Sequence, residues 1–431
     1  MPQNAFKNQQ PAAGGKQLSI IPSAKPNLSS EEVKAVEEII TSGWVTQGPK
    51  VKEFEEAFAR FTGAPYAIAA SNCTTAIHLA LLAAGVQPGE IVITVSHSFI
   101  TTANTIRYCL AEPVFVDIDP KSYNISVEDL QRVLQNDCEK RSGELFYKHV
   151  DRLCHDPSPL SFLDKNKVKW GRVAAIMVVH QMGMPCALSE IVNLAKQYKI
   201  PVIEDAACAI GSAYSPDGET VEMIGRPHGD LACFSFHPLK VLTTGEGGMI
   251  TTNNEQYDAT LRLLRHQGMS VSDIQRHQSK EVIIEEYPVV GFNYRMTDIQ
   301  AAVGLIQLKN LPGVLEKRRA IARYYQEQLK DIGWLRLPEE PENASSNWQS
   351  FCVEILDNAP FSRNQIMQKL RDKGILTRLG IMNAHKEPPY RPQQWSLPYS
   401  EQMRAQAMIL PVYVSMTEQD MERVVEALKA V

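Results

Sequence analysis

Seven short apolar runs recur along the chain, at Tyr66–Ala70, Ile91–Val95, Val114–Ile118, Val173–Val179, Val202–Glu204, Leu231–Phe236 and Gly248–Thr251, with helical or looped stretches between many of them. Runs this short and this continuously apolar suit strands buried on both faces, and their alternation with helical segments suits a parallel sheet. The pattern predicts an α/β fold with a largely parallel central sheet. A chain of 431 residues, 44% of them hydrophobic, can bury a large core and fold as a large domain plus a smaller one. The large domain is expected over 17–310 and the small one over 311–431, with Leu311-Pro312-Gly313 near the passage between them. Met1 to Lys16, rich in Gln, Ala and Gly, is expected to be mobile. The charged stretch 136–170, which contains Asp156-Pro157-Ser158-Pro159, reads as an insertion. It is either a solvated surface excursion or a cover over the substrate mouth or a subunit edge.

The formal charge of −5 argues against a nucleic-acid footprint. No run of 18 apolar residues offers a membrane span, and the polar start lacks a signal-peptide core, so a cytoplasmic protein is expected. Eight cysteines without CxxC spacing read as reduced thiols, and His97, His180 and His237 lack the companion cysteines of a zinc site, so no metal is expected.

The chemistry concentrates in Ser235-Phe236-His237-Pro238-Leu239-Lys240-Val241-Leu242-Thr243-Thr244-Gly245-Glu246-Gly247-Gly248. A lysine between an apolar strand and a glycine-rich loop suits a carbonyl cofactor, with pyridoxal phosphate (PLP) the natural candidate. To form a Schiff base the lysine must spend time neutral, and the apolar company of Cys233, Phe234, Phe236, Leu239, Val241 and Leu242 is expected to lower its pKa by desolvation. A lysine snorkelling from a strand end gives the same local pattern. Upstream, Val202-Ile203-Glu204-Asp205 ends a buried strand in acids, where Asp205 can either face a pyridine nitrogen or cap the next helix. Thr74 and Thr75 open an apolar helix after the run at Tyr66–Ala70, a place for a phosphate or for simple capping. Ser235 can add a hydroxyl there, and Phe99 can stack on a ring or belong to the core.

Together these residues resemble the DegT/DnrJ/EryC1/StrS family of PLP-dependent sugar aminotransferases, within fold-type I. The likeness runs from about Asn27 to the C-terminus. It is carried by Ser42 to Pro49, Ser71 to Leu79, Glu204 to Gly211, Ser235 to Gly248, and Gly291-Phe292-Asn293-Tyr294-Arg295-Met296-Thr297. The resemblance implies a small α+β C-terminal domain. It also implies that Lys240 carries PLP, that Asp205 holds the pyridine nitrogen, and that Thr74, Thr75 and Ser235 hold the phosphate. Asn293 would reach the cofactor of a neighbouring subunit, so a homodimer with shared sites is implied. Cys208 stands where the family usually has a glutamine on the cofactor's phenolic oxygen, and Cys73 where glycine is usual. A thiol is a weak hydrogen-bond donor, so Cys208 weakens a simple transfer of that role.

By the same resemblance the reaction moves an amino group from L-glutamate to a keto sugar, commonly nucleotide-linked, for polysaccharide or a glycosylated metabolite. Trp44, His180, Glu246 and Arg295 match places near the acceptor, though each also has a purely structural use. Arg378, in Thr377 to His385, can grip a carboxylate or phosphate, or sit on the surface of the small domain. A sugar dehydratase of the same family would carry histidine at Lys240. A non-catalytic regulator of the same fold would not need Lys240, Asp205 and Ser235 together. A nicotinamide oxidoreductase would need a GxGxxG between strand and helix, which is absent from the sequence.

Overall fold

The computed structural model describes residues 19–271 and 282–431, so the segment Met1–Lys16 lies outside the described residues. All seven apolar runs are strands of one sheet: β1 (Tyr66–Ala70), β2 (Ile91–Val95), β3 (Glu112–Val116), β4 (Val173–Val179), β5 (Val202–Asp205), β6 (Leu231–Ser235) and β7 (Gly248–Thr252). Their order is β1-β7-β6-β5-β4-β2-β3. Only β7 runs against its neighbours; every other adjacent pair is parallel. The carboxyl ends of β1, β2, β5 and β6 therefore lie along one edge of the sheet, where ligands bind in open α/β sheets.

Both faces of the sheet are covered, which is why its strands read as unbroken apolar runs. On one face the helix Pro49–Thr62 sets Phe54 and Phe58 against Phe234 and Phe236, with ring centroids 5.0 to 5.7 Å apart. This helix has proline at its first position and Gly48 as a cap without a side chain. Its free amides are met from far along the chain: Asp298 accepts from the N–H groups of Gly48 (2.8 Å), Lys50 (3.1 Å) and Val51 (3.0 Å).

Asp298 also opens the helix Asp298–Leu329, which runs from one hydrophobic core to a second. Leu311-Pro312-Gly313 lies inside this continuous helix, where tertiary packing overrides the turn signal. Leu311, Val314 and Leu315 belong to the core of the large domain, whereas Ile321, Ala322, Tyr325 and Leu329 belong to the second core. The second core lies on a four-stranded antiparallel sheet of β8 (Leu335–Arg336), β9 (Phe351–Ile355), β10 (Arg378–Leu379) and β11 (Ala407–Leu410), in the order β8-β9-β11-β10.

The stretch 136–170 is not a simple solvated excursion. It forms a hairpin, Cys138–Arg141 with Glu144–Tyr147, and buries Leu145, Tyr147, Val150, Leu153 and Leu160. Ser158 Oγ donates to Glu112 at the edge strand β3 (2.8 Å). Arg152 donates to the carbonyls of Gln393 (3.0 Å) and Gln394 (3.2 Å) and lies 4.0 Å over the Trp395 ring. The segment thus ties the outer strand of the large sheet to the C-terminal part of the chain. No helix among the described residues is long and apolar enough to cross a membrane.

Candidate active site

Side chains alternate along a strand, so the two acids ending β5 face opposite ways. Glu204 accepts from His180 Nε2 (3.0 Å) and from the amides of His228 (3.0 Å) and Gly229 (2.8 Å). The Cys186 N–H donates to His180 Nδ1 (3.0 Å), which places the imidazole proton on Nε2, towards Glu204. His180 is fully buried in this arrangement, so its place is that of a brace behind the strand end rather than of an open acceptor-facing group.

Asp205 is buried on the other side, where Thr102 Oγ1 donates to Oδ2 (2.9 Å) and the Ala207 N–H to Oδ1 (3.2 Å). Burial pushes its carboxyl above the ordinary aspartate range, against the opposing pull of Thr102, Ala207 and Lys240. Such an acid is held to accept a proton or a cationic hydrogen-bond donor.

Lys240 follows β6 by five residues, and its Nζ lies 3.0 Å from Cys208 Sγ. Its protonation corrects the sequence expectation. Burial is the largest influence and does disfavour the ammonium, but Cys208, Cys73 and Asp205 together outweigh it and raise the lysine above its ordinary pKa. The apolar residues around Lys240 in sequence were visible, whereas the polar atoms brought from β5 and from the helix after β1 were not. Replacing Cys208 with alanine removes the sulfur that accepts from Nζ and stabilises its charged form. The pH midpoint for covalent capture of PLP by the cofactor-free protein is therefore expected to move down. Capture rates followed by absorbance across pH check this sign; an unmoved midpoint would mean that the sulfur does not govern the lysine.

The third part of the site is the start of the helix Cys73–Ala83. Asn72 caps it: Oδ1 accepts from the Thr75 N–H (2.9 Å), and the Asn72 N–H donates to Thr75 Oγ1 (3.2 Å). Ser71 Oγ is 3.0 Å from Thr75 Oγ1, and the Ser71 N–H donates to Tyr294 O (2.8 Å), which joins the segment Gly291–Thr297 to this corner. The hydroxyl of Thr75 is therefore engaged in capping, while Thr74 Oγ1 has only a long 3.5 Å approach to Thr101 Oγ1. Gly248 pairs with Ala70 on one side and Ser235 on the other. A Cβ on Gly248 would stand 2.5 Å from Asn72 O and 2.9 Å from Cys73 N. Glycine is thus what lets β7 press against the helix start and brings Ser235 beside it.

Lys240, Cys208 and Asp205 come together with this helix start. Phe99 is 70% exposed and hence not core. Among the remaining candidates, Trp44 Nε1 donates to Gln47 O (3.2 Å), Arg295 Nη1 meets His266 Nδ1 (2.8 Å), and Asn293 is exposed, its backbone bridged to His266. Glu246 is exposed, and its carbonyl accepts from Thr244 Oγ1 and Gln300 Nε2, both at 2.7 Å. Two contributors escaped the sequence reading: Thr102, which orients Asp205, and Asn347, whose Nδ2 donates to the carbonyls of Cys208 and Ile210 (2.8 Å each). The only signal for Thr102 was its place just after Phe99; Asn347 comes from the small domain and gave none.

A lysine, a buried acid and a capped helix start thus meet on one edge of the sheet. The family model described as the DegT/DnrJ/EryC1/StrS aminotransferase family matches residues 26–429. The chain belongs to the DegT/DnrJ/EryC1/StrS aminotransferase family. It is an aminotransferase of fold-type I. Among relatives, a GDP-perosamine synthase of Caulobacter vibrioides is 34% identical over 95% of this chain and 97% of its own length. An uncharacterized protein of Methanocaldococcus jannaschii is 32% identical, over 96% of this chain and 98% of its own. Among solved structures, the aminotransferase TlmJ of Streptoalloteichus hindustanus superposes with a TM-score of 0.78 at 27% identity, covering 95% of this chain and 98% of that one.

Proposed function

We propose that this aminotransferase uses PLP to move an amino group from L-glutamate to a keto sugar carried on a nucleotide, as a cytoplasmic homodimer with shared sites. The observation that carries the reading is the convergence of Lys240, buried Asp205 and the start of the helix Cys73–Ala83 on one edge of the sheet. The donor set fits the cofactor. Asp205, raised by burial and fixed by Thr102, suits a pyridinium nitrogen; Thr74, Ser235 and the amides at the helix start suit a phosphate; Phe99 offers an open aromatic face.

When bound, PLP supplies the electron sink that makes the carbon bearing the amino group acidic. The work of the chain is to hold the ring nitrogen protonated through Asp205 and to move a proton between substrate and cofactor carbon with the Lys240 amine. The named activity of the Caulobacter vibrioides relative supports a nucleotide-linked acceptor. The exposed apolar residues Val282, Ile284 and Val290, shortly before exposed Asn293, support burial of this stretch against a second copy.

The test is an absorbance spectrum of the purified protein, loaded with PLP, before and after L-glutamate. A band near the visible edge that bleaches to the pyridoxamine form is expected, and a nucleotide-linked keto sugar should then restore it. No band, even with added PLP, would overturn the reading.

A further inference from the structure

Transamination as proposed uses Lys240 Nζ and makes no use of the sulfur it touches, Cys208 Sγ, 3.0 Å away. The backbones carrying these two nucleophiles are pinned. Cys208 lies in the turn after β5, where the Ala209 N–H donates to Ala206 O (2.9 Å) and Asn347 Nδ2 to Cys208 O (2.8 Å). Lys240 lies in the loop after β6, where its N–H donates to His237 O (2.8 Å) and Gln349 Nε2 to Leu239 O (2.6 Å). Asn347 and Gln349 are close neighbours in the chain, so one short segment holds both loops in place. The freedom that remains is in the side chains, and the flexible stem of Lys240 lets Nζ close on the sulfur. Of the eight cysteines, only Cys154 and Cys208 are partly exposed. Cys154 Sγ donates to Val150 O (3.3 Å), whereas Cys208 faces an amine. A partly exposed sulfur in an electropositive setting is where oxidation by peroxide starts.

We propose that hydrogen peroxide joins Cys208 to Lys240 through an N–S bond that thiols reverse, and that this bond closes the protein to PLP. Sγ attacks one peroxide oxygen: an S–O bond forms, the O–O bond breaks, and the departing hydroxide takes a proton from Nζ and leaves as water. The sulfur has given two electrons to the peroxide and is a sulfenic acid. Nζ, now neutral, attacks that sulfur: the N–S bond forms, the S–O bond breaks, and hydroxide leaves with an N–H proton as a second water. Sulfenic acids condense in the same way with a backbone nitrogen. A thiol, an amine and one peroxide thus give a sulfenamide and two waters. Dithiothreitol reverses the bond: one of its sulfurs displaces Nζ, which regains its proton, and the other then releases the Cys208 thiol. While the N–S bond stands, Nζ is not free to take up PLP. That consequence rests on the PLP reading above, whereas the bond itself does not.

For the test, full-length protein, PLP-free and PLP-loaded, is treated with hydrogen peroxide and cleaved after glutamate. Glu219 and Glu222 lie between the two residues, so Cys208 and Lys240 fall in different peptides. In PLP-free wild type the two peptides are expected to be joined, lighter than their sum by about 2 Da. PLP capture should be lost in proportion, and dithiothreitol should undo both effects. PLP-loaded wild type is expected to stay unjoined, as are K240R and C208S. Cys233 travels in the peptide of Lys240, so joining that persists in K240R would be a disulfide and would overturn the inference. Sulfinic Cys208 without joined peptides, or equal joining in PLP-loaded wild type, would overturn it too. If untreated wild type took up no PLP, the transaminase reading would fail, while joined peptides would still establish the bond.

Discussion

Replacing Lys240 with alanine is expected to abolish transamination, with a loss of at least about 10⁴-fold, because one side chain supplies both the covalent attachment and the proton carrier. Retained turnover could not be explained by another lysine at the same atoms. Among the described residues, Lys240 Nζ is the ammonium placed at Cys208 and beside Asp205. The arginine variant separates attachment from charge: it keeps a cation near Asp205 but cannot form the imine. Both variants should fail to retain PLP after borohydride treatment, as read by the mass of the intact protein. Their thermal midpoints should stay close to wild type, since Lys240 lies beyond the end of β6 and the core aromatics of that strand keep their packing. Transamination within tenfold of wild type in either variant would remove Lys240 from the mechanism, and with it the proposed function.

The large sheet was legible in the sequence because each of its strands is covered on both faces, and burial leaves an unbroken apolar run. Val202–Glu204 and Leu231–Phe236 each announced a strand end, and Asp205 and Lys240 could be placed relative to those ends. What the sequence hid depends on contacts across long separations. The elevation of Lys240 needs Cys208 and Cys73, drawn in from other elements of the fold. The cap of the helix Pro49–Thr62 comes from Asp298, hundreds of residues along the chain. Pro312 is an ordinary turn signal, yet it lies inside a continuous helix that is held by a core on each side. The role of 136–170 was open because its charges suggested solvent, whereas its few apolar side chains decide its position by burial.

Asp205→Asn is expected to lower turnover by roughly 10²–10³-fold while leaving the fold intact, the scale typical of removing one preorganised charge at a reacting centre. The carboxylate uses both oxygens: Oδ2 accepts from Thr102 Oγ1 and Oδ1 from the Ala207 N–H. An amide has one oxygen, so whichever way the substituted side chain turned, one of these donors would meet an NH₂ group. That mismatch costs about 1–3 kcal/mol, a modest drop in unfolding free energy readable by denaturant titration. The larger effect is electrostatic. A neutral amide cannot favour a protonated ring nitrogen, and each pKa unit lost there is about 1.4 kcal/mol of differential interaction. The substitution also removes one of the groups that raise Lys240, so the pH midpoint for PLP capture should fall, as expected for Cys208→Ala. Thr102→Val serves as the graded comparison: it deletes one donor, keeps the charge, and should cost much less activity than Asp205→Asn. Equal losses in the two variants would show that orientation rather than charge is what Asp205 contributes. An Asp205→Asn enzyme with wild-type turnover would place the pyridine nitrogen elsewhere.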